Sequence, residues 1–289
     1  MKTNASDESF SYESIIQRCT SVRWECLTAA ALHKARRRTG GVCVIVTGSL
    51  EKHSEHLPLG NDTLMGYAEA LEAARREPAI VLPPLYFTQV HQAQNRLGAI
   101  AMQTPLLMAF LENLCDEAAR NGFRRIILFN MHGGNRYWLP AAITEIGGKG
   151  KDYVVVLHTG PWDAGLASLR ESKVEEKHAG ELETSIAQAL YPALVDPKAI
   201  PNRPGLPQRQ GLLMGYTSVN WPTEFPEQYA GDARPSSAEK GRKVFEAVVE
   251  NLARTIRAVK RDRALLSAVQ RFNRDSRRPP AKRKGAAPT

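Results

Sequence analysis

Between residues 40 and 190, short apolar runs alternate with longer amphipathic stretches. Val42–Thr47 (VCVIVT) is β-branched and apolar almost throughout, the pattern of a strand buried on both faces. Ala79–Leu82, stopped by Pro83 and Pro84, predicts a second strand; Arg125–Asn130 (RIILFN) and Tyr153–His158 (YVVVLH) predict two more. Asp62 to Arg76 predicts a helix with Leu64, Ala68, Leu71 and Ala74 on one side. Thr104-Pro105 supplies the N-cap and first turn of a helix running to Asn121 and ending at Gly122. Trp138–Ile146 and His178–Leu190 are expected to be helical. The Pro- and Gly-rich stretch 201–235, with Trp221, Phe225 and Tyr229, is expected to be a long ordered loop. A capping box, Ser236-Ser237-Ala238-Glu239, opens a last helix with Val244, Phe245, Val248, Val249, Leu252 and Ile256 at helical spacing.

This β-α-β-α alternation predicts an α/β fold: a single three-layer domain with a mostly parallel central sheet and helices on both faces. Ligands of such sheets bind beyond the carboxyl ends of the strands. The expected division is a domain over 1–260 and a basic, disordered tail over 261–289.

Composition narrows the classes further. With 289 residues, 43% hydrophobic and 24% charged, the chain is neither wholly disordered nor a coiled coil or collagen-like repeat. No apolar run approaches the roughly 18 residues that span a bilayer. The N-terminal stretch carries acids and no apolar core, so no secretory signal is expected. Four scattered cysteines (Cys19, Cys26, Cys43, Cys115) form no CxxC pair and suggest buried, reduced thiols and a cytoplasmic location. The formal charge of +9 is local: Arg254 to Lys284 holds twelve Lys/Arg against two Asp, leaving the remainder near neutral. That tail, with Arg277, Arg278, Lys282, Arg283 and Lys284, would give weak, salt-sensitive attraction to polyanions. No nucleic-acid-binding motif accompanies it, so specific nucleic-acid recognition is not expected.

Three polar clusters follow predicted strands or open the next helix. The first runs from Thr47 to Asp62. Glu51 and His53 are two apart in an extended segment and point to one side, and the Leu57-Pro58-Leu59-Gly60 turn returns Asp62 toward them. Two hard oxygen ligands and an imidazole suit a divalent cation such as zinc, manganese or iron, and a carboxylate between two ligand sets can bridge two ions. The second cluster, Asn130-Met131-His132-Gly133-Gly134-Asn135, places His132 at a strand end beside glycines that let backbone approach a ligand. The third is His178-Ala179-Gly180-Glu181-Leu182-Glu183-Thr184-Ser185, where a helix would put His178 and Glu181 on one face. Taken singly, each residue is more often an ordinary polar side chain, and Glu181 and Glu183 suit a helix first turn in any case. Their convergence, with four of the seven histidines in these clusters, argues for a site.

The strings E-x-H-x-x-H-L-P-x-x-x-D, N-x-H-G-G-N and H-A-G-E-x-E-T-S resemble, in order from Val42 to Ser185, the creatininase (creatinine amidohydrolase) family. A weaker likeness continues through Tyr229–Arg234 and Ala238-Glu239-Lys240-Gly241. The resemblance implies a two-metal hydrolase cleaving a C–N amide bond of a small substrate through a metal-bound hydroxide, usually in a homo-oligomer and often a hexamer. By the same resemblance Glu51, His53, Asp62 and His132 match metal ligands, with Asp62 the bridge. His178 matches a catalytic histidine, with Glu183 as a further proton carrier. Asn135 and the Gly133-Gly134 amides are candidates to steady the oxyanion and hold substrate, and His91 keeps a place on a substrate loop. The family's namesake enzyme has a glutamate two residues after the matching histidine, where this chain has Gly134. Many relatives instead carry a glutamate directly after His-Ala-Gly, which makes Glu181 the preferred fifth ligand and Glu183 the second choice. Ser54 replaces a usual glycine, and Glu55 adds negative charge nearby. The Phe-Pro of the family's substrate loop is absent from residues 86–100. Family substrates include cyclic amides, formamides and, in mycofactocin maturation, a peptide that is trimmed. A peptide-trimming enzyme is therefore one alternative, and a non-catalytic polyanion-binding protein acting through the tail is another.

Overall fold

The computed structural model describes residues 10–159, 164–209 and 215–277. Its elements in order are α1 (Tyr12–Arg18), α2 (Ala29–Arg38), β1 (Val42–Thr47), α3 (Asn61–Arg76), β2 (Ile80–Val81), α4 (Thr104–Arg120), β3 (Arg125–Asn130), α5 (Leu139–Gly148), β4 (Val154–Thr159), α6 (Glu181–Leu190), α7 (Asn220–Glu224), α8 (Ala238–Arg261) and α9 (Leu265–Ser276). The four strands form one all-parallel sheet in the order β2-β1-β3-β4.

Strand alternation divides the core into two. Val42, Val44 and Val46 of β1, with Ile127 and Phe129 of β3, face α1, α3, α6 and α8. Cys43 and Ile45, with Ile126 and Leu128, face α4 and α5. All six β1 side chains are buried, which is why the run carries no polar alternation. Each such aliphatic side chain contributes about 1.5–3 kcal/mol through burial. The long helix α8 buries Val244, Phe245, Val248, Val249, Leu252 and Ile256 as its spacing predicts.

Several boundaries differ from the sequence expectations. Gln103 is the N-cap of α4, so Thr104 is its first helical residue, and the cap of α8 is Ser237, whose Oγ accepts from Lys240 N. Cys26 is exposed, whereas the other three cysteines are buried; all four are free. Residues 265–276, expected to be disordered, form the helix α9. Leu265, Leu266 and Val269 are half-buried on one side, and Asn273 Nδ2 donates to Lys151 O at 3.1 Å. The basic residues Arg278, Lys282, Arg283 and Lys284 lie outside the described residues. Among the described residues, no helix is long and apolar enough to cross a membrane.

The sheet matters chiefly for its carboxyl end. Thr47 and Asn130 are register partners at the tips of β1 and β3. The chain leaves β1 toward Ser49, Glu51 and His53, and leaves β3 toward His132. Asn130 Oδ1 accepts from His132 N at 3.2 Å and Asn135 Nδ2 donates to Thr47 O at 3.1 Å, so the two strand exits are tied together.

Candidate metal centre

Six of the candidate residues meet at this end of the sheet. Glu51, His53, Asp62, His132, His178 and Glu183 are each at most 8% exposed. Their ligand atoms form three overlapping groups: Glu51, Asp62 and His132; His53, Asp62 and Glu183; and Glu51, His53 and His178. Within each group the atoms lie within 4.8 Å of one another. Asp62 joins the first two through its two oxygens: Oδ2 is 3.2 Å from His132 Nδ1, and Oδ1 is 2.9 Å from His53 Nε2. His132 Nδ1 also lies 2.6 Å from Glu51 Oε1.

Backbone carbonyls fix the imidazole tautomers. A carbonyl can only accept, so the ring nitrogen facing it carries hydrogen. His53 Nδ1 faces Glu51 O at 3.2 Å, which leaves Nε2 for Asp62 and the cluster. His132 Nε2 faces Gln89 O at 3.0 Å, which leaves Nδ1 for Glu51 and Asp62. His178 Nε2 faces Lys52 O at 2.9 Å, which leaves Nδ1 as an acceptor. Such outer partners are the usual means of orienting metal-binding histidines.

The titration behaviour has the same origin. Burial alone would depress His53, but Asp62 outweighs it and lifts His53 to about 9. Burial is likewise overcome at His132 by Glu51 and Asp62, to about 10. Burial would raise Asp62 and Glu51, yet the facing imidazoles hold both carboxyls below their ordinary range. His178, desolvated and beside His53, falls to about 4, and burial raises Glu183 to about 8. Protons thus sit between acids and imidazoles where a cation would satisfy the same donors, and the set of hard oxygens and imidazoles fits a divalent metal.

The structure corrects several expectations. His178 is not helical: it pairs with Ala230 in an isolated bridge, Ala179 takes φ +53, and α6 begins only at Glu181. The expected i, i+3 face with Glu181 therefore does not exist. Glu181 is turned away from the cluster; its oxygens accept from Glu171 N at 2.8 Å and Ser172 N at 2.7 Å and pair with Lys240. Glu183 is the residue of this pair that joins the cluster. Asn135 is fully buried with its amide committed to Thr47 O and Trp138 Nε1, so it has no reach toward an oxyanion. His91 is exposed on the 3₁₀ turn His91–Ala93, and its neighbour Gln92 instead brings Nε2 to 3.0 Å from His132 Nε2. Gly133 faces open space, while a Cβ at Gly134 would come within 2.4 Å of His132 Nε2. Ser54 has φ +56, the conformation that glycine serves most easily, and Glu55 is exposed and paired with Lys52 at 2.5 Å.

Sequence reasoning missed Ser49, whose Oγ lies 3.0 Å from Glu51 Oε1 and 2.9 Å from Asp62 Oδ2. The alternation that groups Glu51 with His53 extends one step back to Ser49. It also missed Trp221, whose ring meets His178 edge-on at 5.9 Å and whose Nε1 donates to Gln228 Oε1 at 2.7 Å.

A family model described as creatinine amidohydrolase matches residues 25–256. Creatinine amidohydrolase of Pseudomonas putida is 27% identical over 240 residues, 76% of this chain and 91% of that protein. The mycofactocin precursor peptide peptidase of Mycobacterium tuberculosis is 27% identical over 230 residues, 74% of this chain and 83% of the relative. A solved mutant creatininase of the Zn–Zn type superposes with a TM-score of 0.69 at 25% identity, covering 82% of this chain and 97% of that one.

Proposed function

The chain belongs to the creatinine amidohydrolase family and is a hydrolase of that kind, and we propose that it cleaves a C–N amide bond of a small substrate with two divalent cations at the Asp62 cluster. The observation that carries this reading is the overlap of three ligand groups around Asp62, Glu51 and His53. Glu51, His132 and Asp62 would hold one cation, and His53, Asp62 and Glu183 the other. When bound, such cations polarise a carbonyl and acidify a water. The two-cation count is supported by the likeness to a Zn–Zn creatininase.

The chain's own residues supply the proton chemistry. His178, depressed to about 4 by burial and by His53, is neutral near pH 7. With Nε2 donating to Lys52 O, Nδ1 accepts a proton from the attacking water and returns it to the leaving nitrogen. Ser49 Oγ holds the facing oxygens of Glu51 and Asp62 in place. The near-complete burial of these groups favours a small substrate and excludes bulk water from the reacting centre. A trimmed peptide is the second reading, favoured by identity to the mycofactocin peptidase equal to that for creatinine amidohydrolase.

Two further parts of the reading are expectations of the same proposal. Four free cysteines support a reducing, cytoplasmic setting. Exposed Phe87, Leu97, Leu106 and Phe110 support self-association. The function is tested by screening cyclic amides, formamides and short peptides for hydrolysis, with and without a chelator. Turnover that disappears with chelator and returns with zinc or manganese supports it; turnover in the metal-free protein overturns it.

A further inference from the structure

We propose that Glu181 is a positioning residue: with Glu176 and Lys240 it latches residues 170–178 onto α6 and thereby fixes where His178 presents its ring. The inference rests on the reading above, in which Glu183 rather than Glu181 faces the cations. Two residues apart on a helix lie about 200° apart around its axis, so the first turn of α6 can send one carboxylate into the cluster and the other to the opposite side. The structure does this. Glu183 Oε2 accepts from Ala179 N at 2.6 Å on the cluster side. Glu181, fully buried, accepts from Glu171 N and Ser172 N on the other.

The latch is reciprocal. Glu176, from the same segment, places Oε1 at 2.8 Å from Leu182 N and 3.2 Å from Glu183 N. These are first-turn donors that have no partner within the helix. Glu176 therefore caps α6, while Glu181 of α6 satisfies backbone donors of the segment. Lys240, 8% exposed on α8, neutralises the arrangement: its Nζ pairs with Glu181, lies 2.8 Å from Glu171 Oε1 and donates to Pro235 O at 2.9 Å. A buried carboxylate without that lysine would be an uncompensated charge. The far end of the segment is held by His178 N and Lys177 N donating to Ala230 O at 3.0 and 2.8 Å. Between the Ala230 anchor and the first residue of α6 stands Ala179 at φ +53, a conformation that persists only where its surroundings over-determine it. This assigns work to two sequence motifs at once: the two glutamates of H-A-G-E-x-E divide between latch and site, and the lysine of A-E-K-G completes the latch.

The test uses the full chain, zinc-loaded and metal-free, with Glu181→Gln, Lys240→Met and the double variant that removes both charges together. Amide hydrogen exchange of residues 171–178, zinc per chain and the His178 Cε1–H resonance are read for each. Loss of charge-assisted hydrogen bonds should speed exchange in the segment about ten- to a hundredfold, move the His178 resonance and leave zinc per chain as in the wild type. Loss of a zinc equivalent in Glu181→Gln makes Glu181 a ligand and overturns the proposal. So does unchanged exchange with an unmoved resonance. If either single variant fails to fold, the double variant decides on the same readouts. A wild-type chain that takes no zinc would defeat the functional reading alone, because the exchange experiment still judges the latch in the metal-free protein.

Discussion

The imidazoles of His53 and His178 stack face to face, with centroids 4.1 Å apart and planes 29° from parallel. One leaves β1 and the other precedes α6, so the fold brings together two rings of opposite proton affinity. Asp62 keeps His53 charged, and that charge, together with burial, keeps His178 neutral. A neutral base beside a cation-seeking pocket is the arrangement on which the functional reading depends.

That arrangement predicts opposite pH responses for the metal-free protein and for metal binding. His53 and His132 titrate near 9 and 10, above the roughly 6.5 of an unfolded histidine, so the native state binds more protons through this window. Their contribution to stability is full below about pH 6.5 and is lost as pH rises. Glu183, raised to about 8, acts in the same direction up to that pH. Metal-free protein should therefore unfold more easily at pH 8.5 than at pH 6.5, while zinc binding, which must displace these protons, strengthens over the same range. Thermal unfolding with and without zinc at both pH values checks this. Calorimetric titration in two buffers of different ionisation heat counts the protons released, and a count of zero would contradict it.

Asp62→Ala should empty the centre, because Asp62 belongs to two of the three ligand groups. It also leaves His53 and His132 facing one fewer acid in a buried site, a loss of about 3–5 kcal/mol in the metal-free protein. Zinc per chain by plasma mass spectrometry and a denaturant unfolding curve measure the two effects. Retention of zinc near the wild-type level would show that Asp62 does not bridge.

Gly134→Ala should weaken metal binding without unfolding the chain. The added Cβ would fall 2.4 Å from His132 Nε2, 2.6 Å from Gln92 Nε2 and 3.1 Å from Gln89 O. His132 would have to swing off the carbonyl that orients it, an outer-partner loss of the kind that reduces metal affinity about 10- to 100-fold. Zinc titration against a competing chelator reads the change.

Gly241→Ala tests the packing that carries the latch. A Cβ there would lie 1.9 Å from Ser185 O, backbone that has no flexible end to move, at the crossing of α6 and α8. The expected loss is about 1–3 kcal/mol, seen as a lower unfolding midpoint. An unchanged midpoint would mean that the two helices part at little expense.

Some of this was legible before the fold. Val42–Thr47 and Arg125–Asn130 are strands to the residue because burial on both faces leaves no polar break within them. Glu51, His53, Asp62 and His132 follow from strand ends and local spacing, and the structure brings them together. The choice between Glu181 and Glu183 was not legible. It turns on where α6 starts, and Ala179 and Gly180 interrupt a stretch that periodicity extends back to His178. Lys240, which holds Glu181, arrives from another helix, and no spacing rule links the two. Asn135 looked like an oxyanion donor because of its neighbours, but its amide serves Thr47 O. The helix α9 was hidden by composition: the charge of 254–284 masked Leu265, Leu266 and Val269, which lie on one side of it.

The most direct test is diffraction from zinc-loaded crystals at the zinc absorption edge. Two anomalous peaks per chain are expected, on either side of the Asp62 carboxylate, one beside Glu51 and His132 and the other beside His53 and Glu183. An absence of peaks at this cluster, or a peak bound by Glu181, would contradict the account.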